Sequence, residues 1–447
     1  MRGFTWTVVI WGVTLVIVAR RSSWLKLKLE REHLAVILLL LSTHSLSSAS
    51  ADEILADPVT IERALRGVLV GLALLVVLPA LLRRFRQGAI PAGRALLSFG
   101  LYAAVAAAST LYSAAQLVTT GKVFELGVAV LVAAALVMRE DASQALRTAI
   151  RLVVALEAAL IAVAIAGYFA IPGTFQLVGG RPGFLAGPTM KSPFAHFNHL
   201  SAAGAMSFAF ALSGVFTARE RSARLGWSTM AVIGTVGMLL AAGRQGLVIW
   251  LASAAVVLFF HRRRLFLALI APLTAIVAVV NWDALLELFQ RGQSESTFSS
   301  LSGRLVWWSA AIDAWKVHPW TGYGFGTGGR FVALHDIGVS SSSLHSGYFE
   351  ALVGVGLLGV IPMFLAIVLV TRWALRSLRS GSYPMEAILI VPLLLHTSIS
   401  LGFGAWLVAD VLLFIFLAGL TDLESLQPKK TDSATGMSLL GPAFEFR

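Results

Sequence analysis

Cysteine is absent from the 447 residues, which removes disulfides, a thiol nucleophile and any cysteine-based metal site. Charge is scarce: 13% of residues are Asp, Glu, Lys or Arg, against about 25% in ordinary soluble domains. No Asp-x-Asp pair occurs, and the acids Asp283, Glu287 and Glu295 are scattered. Divalent-metal catalysis of group transfer therefore finds no carboxylate pair, and no metal or cofactor is expected. Period-two alternation of apolar and polar residues is missing too, which excludes a membrane β-barrel. No repeat of solenoid length is visible.

What fills the chain instead is apolar: 57% of residues, in repeated Leu/Ala/Val runs near the roughly 20 residues that cross a bilayer as helix. The fold class is an all-α polytopic membrane protein. Spans are predicted at 33–50, 65–82, 95–115, 123–138, 150–171, 198–217, 225–242, 246–260, 264–282, 348–371, 384–402 and 405–420. That makes about twelve, or thirteen if the apolar segment 3–19 also crosses. The basic clusters at 20–31, 83–86, 147–151, 219–224, 262–264 and 372–379 are each an even number of spans apart. They therefore share one side, the cytoplasm. This loop placement accounts for the net charge of +12, and nucleic acid is not an expected partner, because no soluble domain exists to carry a phosphate-binding stripe.

The organisation follows: 1–32, an N-terminal apolar segment and basic loop; 33–282, helices with short loops; 283–347, a large loop on the outer side; 348–420, C-terminal helices; 421–447, a polar cytoplasmic tail. The large loop has helical signals of its own. Arg304 precedes Leu305-Val306-Trp307-Trp308, an amphipathic run expected to lie in the outer interface with its aromatic face among the head groups. Gly322, Gly324, Gly326, Gly328 and Gly329 follow, a turn region that lets backbone amides approach a ligand closely. No Gly-Lys-Ser/Thr follows to make a Walker loop.

Arg244, Arg304, Arg181 and Lys191 stand on the outer side against the charge rule, and guanidinium forks suit phosphate oxygens; the bland reading is snorkelling anchors. His345 ends the longest polar interruption, where a neutral imidazole can take a proton from a hydroxyl. Capping or bonding a carbonyl is its structural alternative. Read as one continuous helix, the chain puts Gly356 and Gly359 below it, Gly356 roughly three turns down. This is either a groove for a lipid tail or a close helix contact. His335 and Asp336 offer a carboxylate–imidazole pair. His196 and His199 have helical metal-ligand spacing, but no neighbouring carboxylate or third histidine in the sequence completes a site; Asn198 reads as an N-cap. Glu157, His396 and Asp410 are ionisable groups inside spans, functional or paired inward.

His345-Ser346, nine residues, then Gly356-Leu357-Leu358-Gly359 resembles the ligase-type signature of the O-antigen ligase and polymerase superfamily of bacterial glycosyltransferases. Phe197-Asn198-His199-Leu200-Ser201-Ala202, Gly243-Arg244, Arg304 with Trp308, and Pro319 with Gly322, Gly324 and Gly326 are also similar, so that the resemblance covers roughly 60–420. It implies a GT-C-like architecture and transfer of O-antigen polysaccharide from undecaprenyl diphosphate to lipid A–core at the periplasmic face of the inner membrane. His345 would activate the acceptor and Arg244 and Arg304 would hold the diphosphate, with inversion and without metal. An O-antigen polymerase, a protein O-glycosyltransferase and a lipid-linked glycan transporter are the alternatives. The protein transferase usually carries a larger C-terminal periplasmic domain than is found here. For the transporter, neither an interior polar path nor an inverted repeat is evident in the sequence.

Overall fold

Residues 29–44, 60–88, 93–177, 188–193, 195–261, 290, 300–339, 341, 343–400 and 402–426 are described by a computed structural model. The segment 3–19, the span expected at 264–282, Arg181 and the tail beyond 426 lie outside the described residues.

The helices are α1 (Arg31–Thr43), α2 (Ile61–Arg86), α3 (Arg94–Ala108), α4 (Gln116–Val137), α5 (Ala142–Ala170), α6 (Phe197–Thr217), α7 (Arg221–Ala241), α8 (Arg244–Phe260), α9 (Arg304–Val317), α10 (Gly347–Ser380), α11 (Ile390–Ile399) and α12 (Ala409–Leu426). A two-residue hairpin, Gln176–Leu177 with Thr189–Met190, interrupts the chain between α5 and α6. Among the described residues, seven helices are long and apolar enough to cross a membrane: α2, α3 with its 3₁₀ extension to Leu111, and α4, α5, α6, α7 and α10. The apolar helices Arg244–Phe260, Pro384–Ile399 and Ala409–Thr421 are shorter.

The all-α polytopic class is thus what the fold displays, with seven of the expected twelve or thirteen spans at full length among the described residues. Sequence hydropathy alone overestimates helix length where the backbone breaks. The run at 33–50 yields a 13-residue helix, about 20 Å long at 1.5 Å per residue and short of a hydrocarbon core near 30 Å. The run at 384–402 divides into one turn, Pro384–Ala387, and α11.

Charge sorts the bundle into two ends. At one, Arg84 bonds Glu32 at 3.1 Å, Arg139 bonds Glu32 at 3.0 Å and Asp141 at 2.7 Å, and Arg147 bonds Glu386 at 3.0 Å. These contacts gather the start of α1, the end of α2, the α4–α5 turn and the turn before α11 (arginine side chains at a helix C-terminus also answer its dipole). The expected common side of the 83–86 and 147–151 clusters is therefore seen as one arginine-rich end. At the opposite end lie the starts of α4, α6, α8 and α10 and the loop 318–346. Between them the core is filled by alanine, branched and aromatic side chains, with Phe403 edge-on to both Phe99 and Phe414 and the latter two tilted against each other.

One feature of α10 positions everything at the loop end. The helix breaks at Gly356 (φ 56°, ψ −164°), which frees carbonyls above the break and amides below it. Buried backbone groups need partners, and the glycine-rich loop supplies them. Tyr323 N–H donates to Val353 O (2.9 Å) and Gly324 N–H to Gly354 O (2.8 Å). Leu357 N–H donates to Pro319 O (2.9 Å) and Leu358 N–H to Trp320 O (3.1 Å). Backbone lies against backbone here, so a Cβ on Gly356 would stand 2.4 Å from the Trp320 carbonyl.

Candidate active site

His345 sits immediately before α10 in a left-handed conformation (φ 52°), which is uncommon outside glycine, although histidine tolerates it better than most residues. Contacts of the histidine and of its neighbours hold it there. Its N–H donates to Ser343 Oγ at 3.2 Å, and the preceding Leu344 N–H donates to Glu350 Oε1 at 2.6 Å. Trp308 Nε1–H donates to Leu344 O at 3.0 Å and its ring stacks on Phe349. Trp307 stacks on the His345 imidazole, centroids 5.7 Å apart. The tryptophans of α9 therefore clamp the histidine segment instead of facing the head-group layer. The exposed apolar side chains of α9 are Leu305, Val306, Ile312 and Val317, the opposite face from the one expected.

Electrostatics around the imidazole are defined by neighbours of one sign. Burial first, then the charge of Arg304 and that of His196, push the His345 pKa down to about 4. The ring is neutral at physiological pH, with a lone pair available. Arg304 opens α9 behind Gly303, and Arg244 opens α8 behind Gly243. Each guanidinium is thus carried on the first residue of a helix, where amide dipoles also favour an anion.

Two of the sequence motifs meet. Gln245 Nε2–H donates to Asn198 O at 3.2 Å, and Ser201 Oγ–H donates to Gly243 O at 3.1 Å. The Gly243-Arg244 corner is thereby seated on the start of α6, whose N-cap is His196: the side chain of that histidine accepts from Asn198 N–H at 3.3 Å. Arg304, His345, His196 and the Arg244 corner consequently belong to one end of the bundle. Arg244 also donates to Gln290 O at 3.1 Å.

Other expectations fall differently. Ser346 is the buried N-cap of α10 and makes no side-chain capping bond. Gly356 and Gly359 both lie in close packing, the second of the two readings their spacing allowed. Gly356 is covered by the Trp320–Thr321 backbone, and a Cβ on Gly359 would meet Val355 and Val105. Positive φ at Gly356 ended the helical periodicity on which the groove rested. The glycine-rich loop is likewise no open amide cradle: the N–H groups of Gly322, Tyr323, Gly324, Thr327 and Gly328 all donate to backbone carbonyls, and that of Phe325 to Ser109 Oγ. Lys191 extends the small hairpin, its N–H donating to Phe175 O at 2.9 Å. His335 and Asp336 lie 3.9 Å apart at an exposed position.

A family model described as O-antigen ligase matches residues 229–364. The match supports membership of the chain in the O-antigen ligase/polymerase superfamily. No curated protein matches the chain. The matched stretch takes in Arg244, Arg304, the glycine-rich loop, His345, Ser346, Gly356 and Gly359, and with them an O-antigen ligase/polymerase type of function is supported.

The loop end of the bundle also holds charged residues that sequence reasoning passed over. Glu350 is buried and in the electrostatic reach of Lys122 and Arg330, and Lys122 Nζ donates to the Gly326 carbonyl. Arg66 pairs with Glu125 beneath them. The signal was present: Glu125 and Glu350 are charged residues within apolar runs, where ionisable groups are costly and default to a role.

Proposed function

We propose that the protein is an O-antigen ligase, transferring O-antigen polysaccharide from undecaprenyl diphosphate to lipid A–core at the periplasmic face of the inner membrane. The observation that carries the reading is the His345 imidazole, stacked on Trp307 at the loop end of the bundle and within electrostatic reach of Arg304. His345 takes the proton of the acceptor hydroxyl as that oxygen attacks the anomeric carbon. The bond to the diphosphate breaks in the same displacement, so the anomeric configuration inverts. Arg304 and Arg244, with Arg181 and Lys191 as further diphosphate contacts, stabilise the charge that develops on the departing lipid diphosphate. No metal ion is needed at the reacting centre, because guanidinium groups supply the positive charge. Anion binding also completes the base: a diphosphate beside Arg304 offsets the charge that depresses His345 and raises its basicity toward a working value.

The test is a purified reaction of undecaprenyl diphosphate-linked O-antigen with lipid A–core, followed by gel analysis of the lipid product. Ligation transfers polysaccharide onto lipid A–core, and a chelator added with the substrates leaves the initial rate unchanged. Growth of the lipid-linked glycan without lipid A–core would instead assign polymerase activity. Transfer onto a protein acceptor would assign the third transferase type.

A further inference from the structure

The His196/His199 pair, equivalent in spacing, separates in the fold. His196 stays with the candidate active site, whereas His199, one helical turn on, enters the bundle. There it meets Glu157 of α5 and His44 at the end of α1. His44 Nε2 lies 3.1 Å from Glu157 Oε1, and His199 Nε2 lies 3.8 Å from Glu157 Oε2. The three ligand atoms stand within 4.8 Å of one another. The carboxylate and the third histidine that no sequence neighbourhood supplied are brought in by tertiary structure.

His44 Nδ1 lies 3.0 Å from the Leu40 carbonyl oxygen and 2.9 Å from Thr43 Oγ1, which leaves Nε2 as the ring nitrogen that faces the Glu157 carboxylate. Fixing one imidazole nitrogen on a backbone carbonyl is how proteins orient a metal-binding histidine.

A second observation lies alongside. A small cavity is lined by Glu157, Ser207 and Asp410, among apolar neighbours. Ser207 and Asp410 are buried, and Ser207 Oγ and Asp410 Oδ1 have no hydrogen-bond partner among the described residues. Asp410 Oδ2 is bonded to His396, whose ring lies 6.5 Å from that of His199. Polar atoms this deep call for a water or an ion.

We propose that His44, Glu157 and His199 form a buried site for one divalent transition-metal ion, zinc being the best match, with a fourth position open to a water in the adjoining cavity. Two imidazoles and one carboxylate suit a borderline cation and not magnesium or calcium, which take oxygen ligands. Ligand atoms about 2.1 Å from a tetrahedral zinc stand roughly 3.4 Å apart, so side-chain adjustment closes the triad. Glu157, with Asp410 beside it, supplies two carboxylates for the two charges. The ion staples α1, α5 and α6 about one turn beneath the candidate active site and takes no part in the displacement, so the proposal stands apart from the transfer reading.

The experiment uses the full chain in detergent or nanodiscs. After dialysis, metal is counted by mass spectrometry on wild type, Glu157→Gln, His44→Gln and the surface control His335→Ala. Wild type and His335→Ala are expected to retain about one zinc per chain, and the two triad variants much less. Cobalt loaded into wild type should give the intense visible bands of a four-coordinate site, and zinc should abolish them; this readout needs no variant to fold. Wild type that retains no metal and yields no cobalt bands overturns the proposal. So does zinc that persists in Glu157→Gln and leaves in His335→Ala, which marks adventitious surface metal.

Discussion

The Glu350 carboxylate accepts a 2.6 Å hydrogen bond from the Leu344 amide, so the first turn of α10 reaches back to hold the residue that precedes His345. The bond fixes a segment whose next residue is left-handed, a conformation that persists only where surroundings over-determine it. Glu350 is itself held by the charges of Lys122 and Arg330. It is a positioning residue, and Glu350→Ala should lower kcat about tenfold or more, the equivalent of a charged hydrogen bond of roughly 1.5–3 kcal/mol. Glu350→Gln keeps an acceptor oxygen and should recover part of the rate. Steady-state kinetics on both variants decide it: an effect confined to KM for the donor would assign Glu350 to binding instead.

His345→Ala removes the proposed base while leaving the Trp308–Leu344 and Glu350–Leu344 bonds in place, since both use backbone atoms of Leu344. Transfer should fall by about 10²–10⁴-fold, the usual contribution of a general base. The melting temperature and donor affinity should stay near wild type. Turnover at the wild-type rate in a folded His345→Ala protein would end the catalytic assignment.

The pH dependence follows from the sign of the His345 shift. With a pKa lowered to about 4 by burial, Arg304 and His196, the free protein keeps the imidazole neutral over the neutral range. It loses the base only as the pH falls through that value. The profile of kcat/KM, which reports the free enzyme, should therefore be flat at neutral pH with an acid limb near the lowered pKa. Bound diphosphate offsets Arg304, so the acid limb of kcat should lie at higher pH. Arg304→Gln removes one source of the depression and should move the kcat/KM limb upward while weakening donor binding. Coincident limbs in wild type and Arg304→Gln would contradict the coupling.

Much of this was legible in residues and some of it was not, for identifiable reasons. Helical hydropathy located α2, α4, α5, α6, α7 and the start of α10, because those segments carry long apolar runs without a break. His345 and Arg244 stood out as polar groups at span ends and Arg304 as the start of an amphipathic helix, and the fold puts them at one end. The glycines misled: their type predicts close approach but not the partner, and the partner of Gly356 proved to be the loop 319–324. His44 and Glu157 join His199 through three separate helices, a relationship no sequence spacing records. Trp307 and Trp308 read as interface anchors because aromatic pairs favour both head groups and buried stacking; contact with His345 and Phe349 decides for stacking.

Gly356 offers the sharpest test of the loop–helix exchange. Its backbone lies in a region open almost only to glycine, which costs other residues on the order of 1–3 kcal/mol. An added Cβ would also strike the Trp320 carbonyl carbon at 2.4 Å, rigid backbone that cannot rotate away. Both effects push loop 319–324 off the break and strand the partners of Leu357 and Leu358, so Gly356→Ala should give little folded protein. Gly359→Ala meets Val355, with Cγ2 at 2.3 Å and Cβ at 2.8 Å, so the stiff valine must shift with its backbone, and a loss of thermal stability is expected, smaller than at Gly356 because no positive φ and no carbonyl contact add to it. Gly67, in the interior of α2 with nothing within 4 Å of its Cβ position, should accept alanine with unchanged or slightly higher stability, since alanine is the better helix former. Thermal unfolding of the three variants in one detergent should reproduce that order. A Gly356→Ala protein melting with wild type would mean that the loop does not complete the broken helix.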